Sequence, residues 1–125
     1  MDFKLELIPM PVADIDRAKQ FYVEQAGFRL DHDVRPSPAV RVVQLTPPGS
    51  GCSIVLGAGL PGIVMAPGSL RGLHLVVADI AAARAELAGR GVAMGEVQDL
   101  GGIKYAGFSD PDGNTWTLQE IAGRG

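Results

Sequence analysis

The chain contains a copy of itself. Val12-Ala13-Asp14-Ile15 recurs 65 residues later as Val77-Ala78-Asp79-Ile80, and the same offset aligns Ala18 with Ala83 and Lys19 with Arg84. At the end of each segment Gly27-Phe28 meets Gly91-Val92, now at an offset of 64. In a chain of 125 residues that spacing nearly divides the molecule in two. Repetition at a fixed period marks one supersecondary unit used more than once. The fold must therefore be built from two like halves.

Each half follows the same order of elements. A strand comes first, Lys4 to Val12 or Leu73 to Val77, with apolar residues in strand-like patterns. Asp14 and Asp79 then stand where a helix N-cap is wanted, at the positive end of the helix dipole. Helical spacing follows in Ile15, Ala18, Phe21 and Tyr22, and again in Ile80, Ala83 and Leu87. Gly27 and Gly91 stop these helices. Three strand-like runs complete each half: Phe28–Val34, Val40–Thr46 and Cys52–Leu56, then Val92–Val97, Lys104–Ser109 and Thr115–Glu120. Between the last two runs Asp110-Pro111-Asp112-Gly113-Asn114 reads as a tight turn. The expectation is a single α+β domain over 1–125, with repeats at 3–57 and 71–121 joined by a Gly- and Pro-rich linker at 58–70. The two strand–helix–strand–strand–strand repeats are expected to form cupped, curled mixed sheets with helices on the outer face.

Composition removes several function classes. Seventeen Gly and nine Pro favour many short elements. A net charge of −3, with Lys and Arg scattered singly, offers no basic surface for nucleic acid. The lone Cys52 has no disulfide partner, and with two histidines it cannot build a cysteine-rich zinc site. Val42 to Leu70 is uncharged for 29 residues, long enough to span a bilayer. Its four prolines and six glycines would leave backbone groups unpaired in lipid, so buried strands and turns fit it better. Early charges of both signs make the start unlike a signal peptide. These features point to a cytoplasmic protein with neither a membrane nor a nucleic-acid partner.

Strand alternation assigns the faces. Leu73, Leu75, Val77, Trp116 and Leu118 belong under the second helix, which leaves Gly72, His74, Val76, Thr115, Thr117 and Gln119 on the opposite, inward face. In the first half Ile8, Met10 and Val12 take the helix side, and Leu7, Pro9 and Pro11 the other. Such a mixture of hydrocarbon with a few polar groups suits a small-molecule site. Tyr105 shares a face with Gly107 and can reach the same hollow. Arg41 and Gln44 are three apart on one strand, so only one of them faces inward. His32, between Asp31 and Asp33, reads as solvated. Cys52 has no nearby cation to lower its pKa and is a poor nucleophile.

The doubled unit, the paired Val-Ala-Asp-Ile helix starts, Asp16-Arg17-Ala18-Lys19-Gln20-Phe21-Tyr22, and Phe108 to Glu120 with its Asp-Pro-Asp-Gly-Asn turn resemble the vicinal oxygen chelate superfamily. This is the glyoxalase, bleomycin-resistance and extradiol-dioxygenase group, and the resemblance runs over residues 3 to 121. It implies sheets curled around a cavity and pairing into homodimers. Metal-using members carry His, Gln or Glu on the first and last strands of each half. Counting places Leu7, Gly72 and Thr117 at three of those positions, and Ser53, Ile54 or Val55 at the fourth. None is a customary ligand for a divalent cation. The expected cofactor is therefore none.

The resulting expectation is a metal-free protein holding a small organic molecule, an antibiotic or a metabolite, in an apolar cavity. Leu7, Pro9, Arg41, Gln44, His74, Tyr105, Thr117 and Gln119 are the candidate lining residues. The alternative is a metal-independent isomerase, lyase or cyclase in which His74 moves a proton. A metal-dependent glyoxalase or dioxygenase fits the residues least.

Overall fold

Asp14 and Asp79 begin the two helices in the same geometry. Both are extended (φ −125° and −138°), and their carboxylates accept from the N–H of Arg17 and Ala82 at 3.1 and 3.0 Å. The structure, a computed structural model, describes residues 1–60 and 64–125. In the first half strand β1 (Leu7–Pro9) leads to helix α1 (Ile15–Gln20), which continues through a π-turn over Phe21–Gln25. Strands β2 (Arg29–Ser37), β3 (Val40–Thr46) and β4 (Ser53–Ala58) follow. The second half runs β5 (Leu73–Val76), α2 (Ile80–Gly89), β6 (Gln98–Leu100), β7 (Ile103–Ser109) and β8 (Thr115–Glu120).

Topology repeats as well. The sheets are ordered β1-β4-β3-β2 and β5-β8-β7-β6, and in each the first strand lies parallel to the last while the remaining pairs are antiparallel. This is the expected pair of mixed sheets. Among the described residues they remain separate, with β1 and β5 each hydrogen-bonded to one neighbouring strand.

The π-turn explains why the offset of the repeat drops from 65 to 64. The first helical segment has one residue more before its glycine than the second. That residue is absorbed where Ala26 N–H donates to the Phe21 carbonyl five residues back, at 2.9 Å. Gly27 and Gly91 then terminate the helices at φ +77° and +91°.

Three expected elements differ from what is observed. The first strand pairs over Leu7–Pro9 only, because Pro9 and Pro11 have no N–H for a longer ladder. Residues 92–97 form no strand; Val92 is buried in the core, and the strand at the sheet edge is Gln98–Leu100. It is joined to β7 by Gly101-Gly102, both at positive φ (68° and 90°), the two-residue turn that matches the twist of a hairpin. In the expected linker, residues 61–63 lie outside the described residues, whereas Gly68 and Leu70 are bound by Pro11 and Asn114.

One core serves both halves. Ala18, Phe21 and Tyr22 meet Val43, Leu45, Ile54 and Leu56 from the first sheet, and Ile80, Leu87, Phe108, Trp116 and Leu118 from the second. Aromatic contacts cross between halves: Tyr22 to Trp116 at 5.9 Å, Phe28 to Trp116 at 5.4 Å and Phe21 to Phe108 at 6.5 Å. Burying each such side chain contributes roughly 1.5–3 kcal/mol.

The Asp110–Asn114 turn does more than connect two strands. Asp110 is buried and accepts from the Tyr22 hydroxyl at 2.8 Å, while Trp116 Nε1–H donates to that same hydroxyl oxygen at 2.9 Å. Asn114 donates to the Pro11 carbonyl at 2.8 Å, and Asp112 accepts from the Ala13 N–H and from Arg17. The turn thus fastens the second half to the start of the first helix. Burial, reinforced by the charge of Asp110, raises the Tyr22 phenol far above its ordinary pKa, so it serves here as a neutral donor.

Candidate functional site

Each helix covers one face of its sheet, and the candidate residues fall mainly on the opposite faces. On the second sheet, register places His74 beside Thr117 and Tyr105 beside Gln119. The His74 and Tyr105 rings meet edge to face, with centroids 6.2 Å apart. Four candidates therefore form one contiguous patch, together with Val76, which is 41% exposed.

The backbone sets the His74 tautomer. Gly72 takes φ +74°, and its N–H donates to Thr115 Oγ1 at 2.7 Å. Its carbonyl lies 2.7 Å from His74 Nδ1. A carbonyl only accepts, so Nδ1 carries a proton, and the neutral tautomer that this contact selects is the one with its lone pair on Nε2. That nitrogen is available as an acceptor or base.

On the first sheet Leu7 pairs with Ser53, and both Pro9 and Gln44 pair with Val55. Leu7, Pro9 and Gln44 thus share a face with Ser53, Val55 and Thr46, which are buried on it while Leu7 stays exposed. Arg41 is separated from them. It lies on the helix side, where its guanidinium holds both oxygens of Asp33 at 3.1 and 2.8 Å and reaches Asp16 at 2.8 Å. Of the inward alternatives, the structure selects Gln44. Three apart on a strand means opposite faces, and the acidic partners decide which residue goes where.

Three polar residues of this face, Thr46, Ser53 and Asp31, are not among the eight candidate lining residues, although Ser53 is one of the choices for the fourth metal-strand position. Thr46 and Ser53 are buried, with their hydroxyl oxygens 2.6 Å apart, and Thr46 lies 2.5 Å from Asp31. Gln44 Nε2 donates to Ser53 at 3.4 Å. A register shift between Leu30 and His32 turns Asp31 toward this face while Asp33 stays with Arg41 and Lys19. Alternation alone would have put the two aspartates together, so the bulge left no signal in spacing. The hydrogen bond from Thr46, aided by Arg29, holds the Asp31 carboxyl below the usual range.

A cavity of about 640 Å³ opens beside β5, between α2 and the Pro47–Ser50 turn. Phe28, Leu87, Phe108 and Leu118 line it, and His74 alone of the eight candidates touches it. His32 is exposed, and burial raises the Cys52 thiol above its ordinary pKa, which disfavours the nucleophilic thiolate.

The residues present do not fit a divalent cation at the superfamily's strand positions. Leu7 lies beside Ser53; Gly72 lies beside Thr115, which moves Thr117 next to His74 instead. Hydrocarbon, glycine and neutral hydroxyls supply neither imidazole nor carboxylate. Among the described residues no three His, Cys, Asp or Glu side chains gather where they could hold a metal ion. Nor, among these residues, is any helix long and apolar enough to cross a membrane.

Comparison with known proteins agrees with this architecture. The family model of the glyoxalase/bleomycin resistance protein/dioxygenase superfamily matches residues 4–118. The chain is similar to TnmS3, an antibiotic binding protein from Streptomyces sp. CB03234, at 40% identity and a TM-score of 0.84, over 97% of this chain and 98% of that one. It is also similar to a glyoxalase/bleomycin resistance protein from the same Streptomyces strain (43% identity, 92% and 98% covered, TM-score 0.77). A superfamily member from Sphaerobacter thermophilus DSM 20745 shares 32% identity over 96% and 98% of the chains, with a TM-score of 0.80. No curated protein matches it. Two like halves, mixed sheets of matching order and a family match over nearly the whole chain lead to one conclusion: the chain belongs to the glyoxalase/bleomycin resistance protein/dioxygenase superfamily.

Proposed function

We propose that this protein binds a small organic molecule, an antibiotic or a metabolite, without using a metal. The observation that carries this reading is the pairing of a 40% identical antibiotic-binding relative with sheet faces of hydrocarbon and polar groups, among them hydroxyls, amides and the Asp31 carboxylate. Leu7, Pro9 and Gln44 on one sheet and His74, Tyr105, Thr117 and Gln119 on the other are the proposed contacts. A second copy of the chain completes the site. Supporting this, β1 and β5 are both edge strands, and Leu5, Leu7 and Val76 beside them are exposed apolar residues. The complex is a cytoplasmic homodimer.

A thermal-shift screen against aromatic natural products, followed by calorimetry, tests the reading. A true ligand at one hundred times its Kd stabilises the fold by about 2.7 kcal/mol. It is recovered unaltered by mass, and chelator leaves its binding unchanged. Stoichiometric metal that survives purification and supports binding overturns the metal-free reading.

The free Nε2 of His74, set against Tyr105 and Thr117, supports a second reading, a metal-independent isomerase, lyase or cyclase. In that case a bound ligand is converted, and His74→Ala abolishes conversion while binding persists.

A further inference from the structure

We propose that the open face of the first sheet selects a ligand bearing a hydrogen-bond donor, a phenol or an alcohol rather than a ketone or ether, and that Ser53 is the acceptor. This rests on the small-molecule reading above and adds the polarity of the group recognised.

Proton counting carries the argument. Asp31 is ionised, so its carboxylate only accepts. Thr46 has one hydroxyl proton, and the 2.5 Å approach of its Oγ1 to Asp31 Oδ2 commits that proton to the carboxylate. At its other contact, 2.6 Å from Ser53 Oγ, Thr46 must therefore accept. Ser53 uses its own proton there and has none left. Gln44 Nε2 donates to the same Ser53 oxygen at 3.4 Å, a long bond that leaves accepting capacity unused.

Burial keeps this order in place. Thr46 is 5% exposed and Ser53 6%, so reversing the chain would turn a Thr46 lone pair toward the Asp31 carboxylate with little water at hand to bridge the two. Ser53 lies in register with Leu7, itself 39% exposed. An acceptor with no proton to give is thus set beside apolar surface. The second sheet shows the same polarity independently, since His74 commits Nδ1–H to Gly72 and offers a lone pair at Nε2. A ligand carbonyl at Ser53 would meet an acceptor and stay unpaired.

The test compares α-naphthol with its methyl ether, two flat aromatics that differ in one donor, by calorimetry on the full chain. The expected result is roughly three- to tenfold tighter binding of the naphthol, the effect of one neutral hydrogen bond. Ser53→Ala removes that preference, bringing the affinities for the naphthol and the ether together. Thr46→Val, a second variant, frees the Ser53 proton and shifts preference toward the ether. Equal affinities in the unmodified protein overturn the proposal while the apolar-site reading stands. A preference that survives Ser53→Ala but vanishes in His74→Ala also overturns it, placing recognition on the other sheet. Failure of both compounds to bind overturns this proposal, while the small-molecule reading is decided by the thermal-shift screen.

Discussion

The Asp110 carboxylate accepts four hydrogen bonds, from the Tyr22 hydroxyl, the Asn114 amide, and the N–H groups of Asp112 and Asn114. Tyr22→Phe takes away one of these and leaves the Trp116 N–H without its acceptor. The expected loss is about 1–3 kcal/mol in urea denaturation, with an unchanged m value. Asp33 makes a prediction about pH. Hydrogen bonds from Arg41 and then Lys19 hold its carboxyl well below the usual carboxylate range. A depressed folded-state pKa means that the unfolded chain binds more protons in acid, so the contribution is complete at neutral pH. It is lost as pH falls below about 4, the unfolded value, toward the folded one. The thermal midpoint should drop across that window, and Asp33→Asn should flatten its share of the slope.

At the scale of elements, the two helices differ by a single residue and the structure shows where it went. The π-turn at Phe21–Gln25 takes up the extra residue, so that Phe28 still reaches Trp116 beyond Gly27. Both terminal glycines adopt positive φ, which costs an L-residue roughly 1–2 kcal/mol. Gly27→Ala and Gly91→Ala are each expected to destabilise by about that amount in chemical denaturation. At Gly27 the added methyl would also meet the tip of Arg90, a flexible side chain that can swing away. Spacing revealed the helices, their caps and six of the eight strands because those depend on neighbours in sequence. Alternation makes the first strand longer than its ladder and places the edge strand ahead of Gln98–Leu100. Val92 looked like a strand residue because it is apolar, but the core claimed it as a single buried side chain.

For the whole molecule, two edge strands and exposed apolar residues on the same borders lead to an association prediction. Light scattering at tens of micromolar should return the mass of two chains, and replacing Leu7 and Val76 with Lys should shift it toward one. A strict monomer would leave each open face without the partner that completes the proposed site. The core itself joins the two halves through Tyr22, Phe28 and Trp116. Unfolding should accordingly be a single transition by fluorescence and circular dichroism alike.

Duplication, helix boundaries and the side of the sheet occupied by most residues were legible in the sequence. They follow from short-range rules: a cap needs its acid three residues before an N–H, and a strand alternates with every residue. The candidates His74, Tyr105, Thr117 and Gln119 share a face for that reason. Other outcomes depended on partners far away along the chain. Arg41 turned to the helix side because Asp16 and Asp33 were there. Asp31 joined the opposite face because a bulge broke the alternation. The Asp110 turn became a fastening between halves because Tyr22, 88 residues earlier, is folded against it. Local periodicity states which way a side chain points, but only the folded chain supplies the group that it meets.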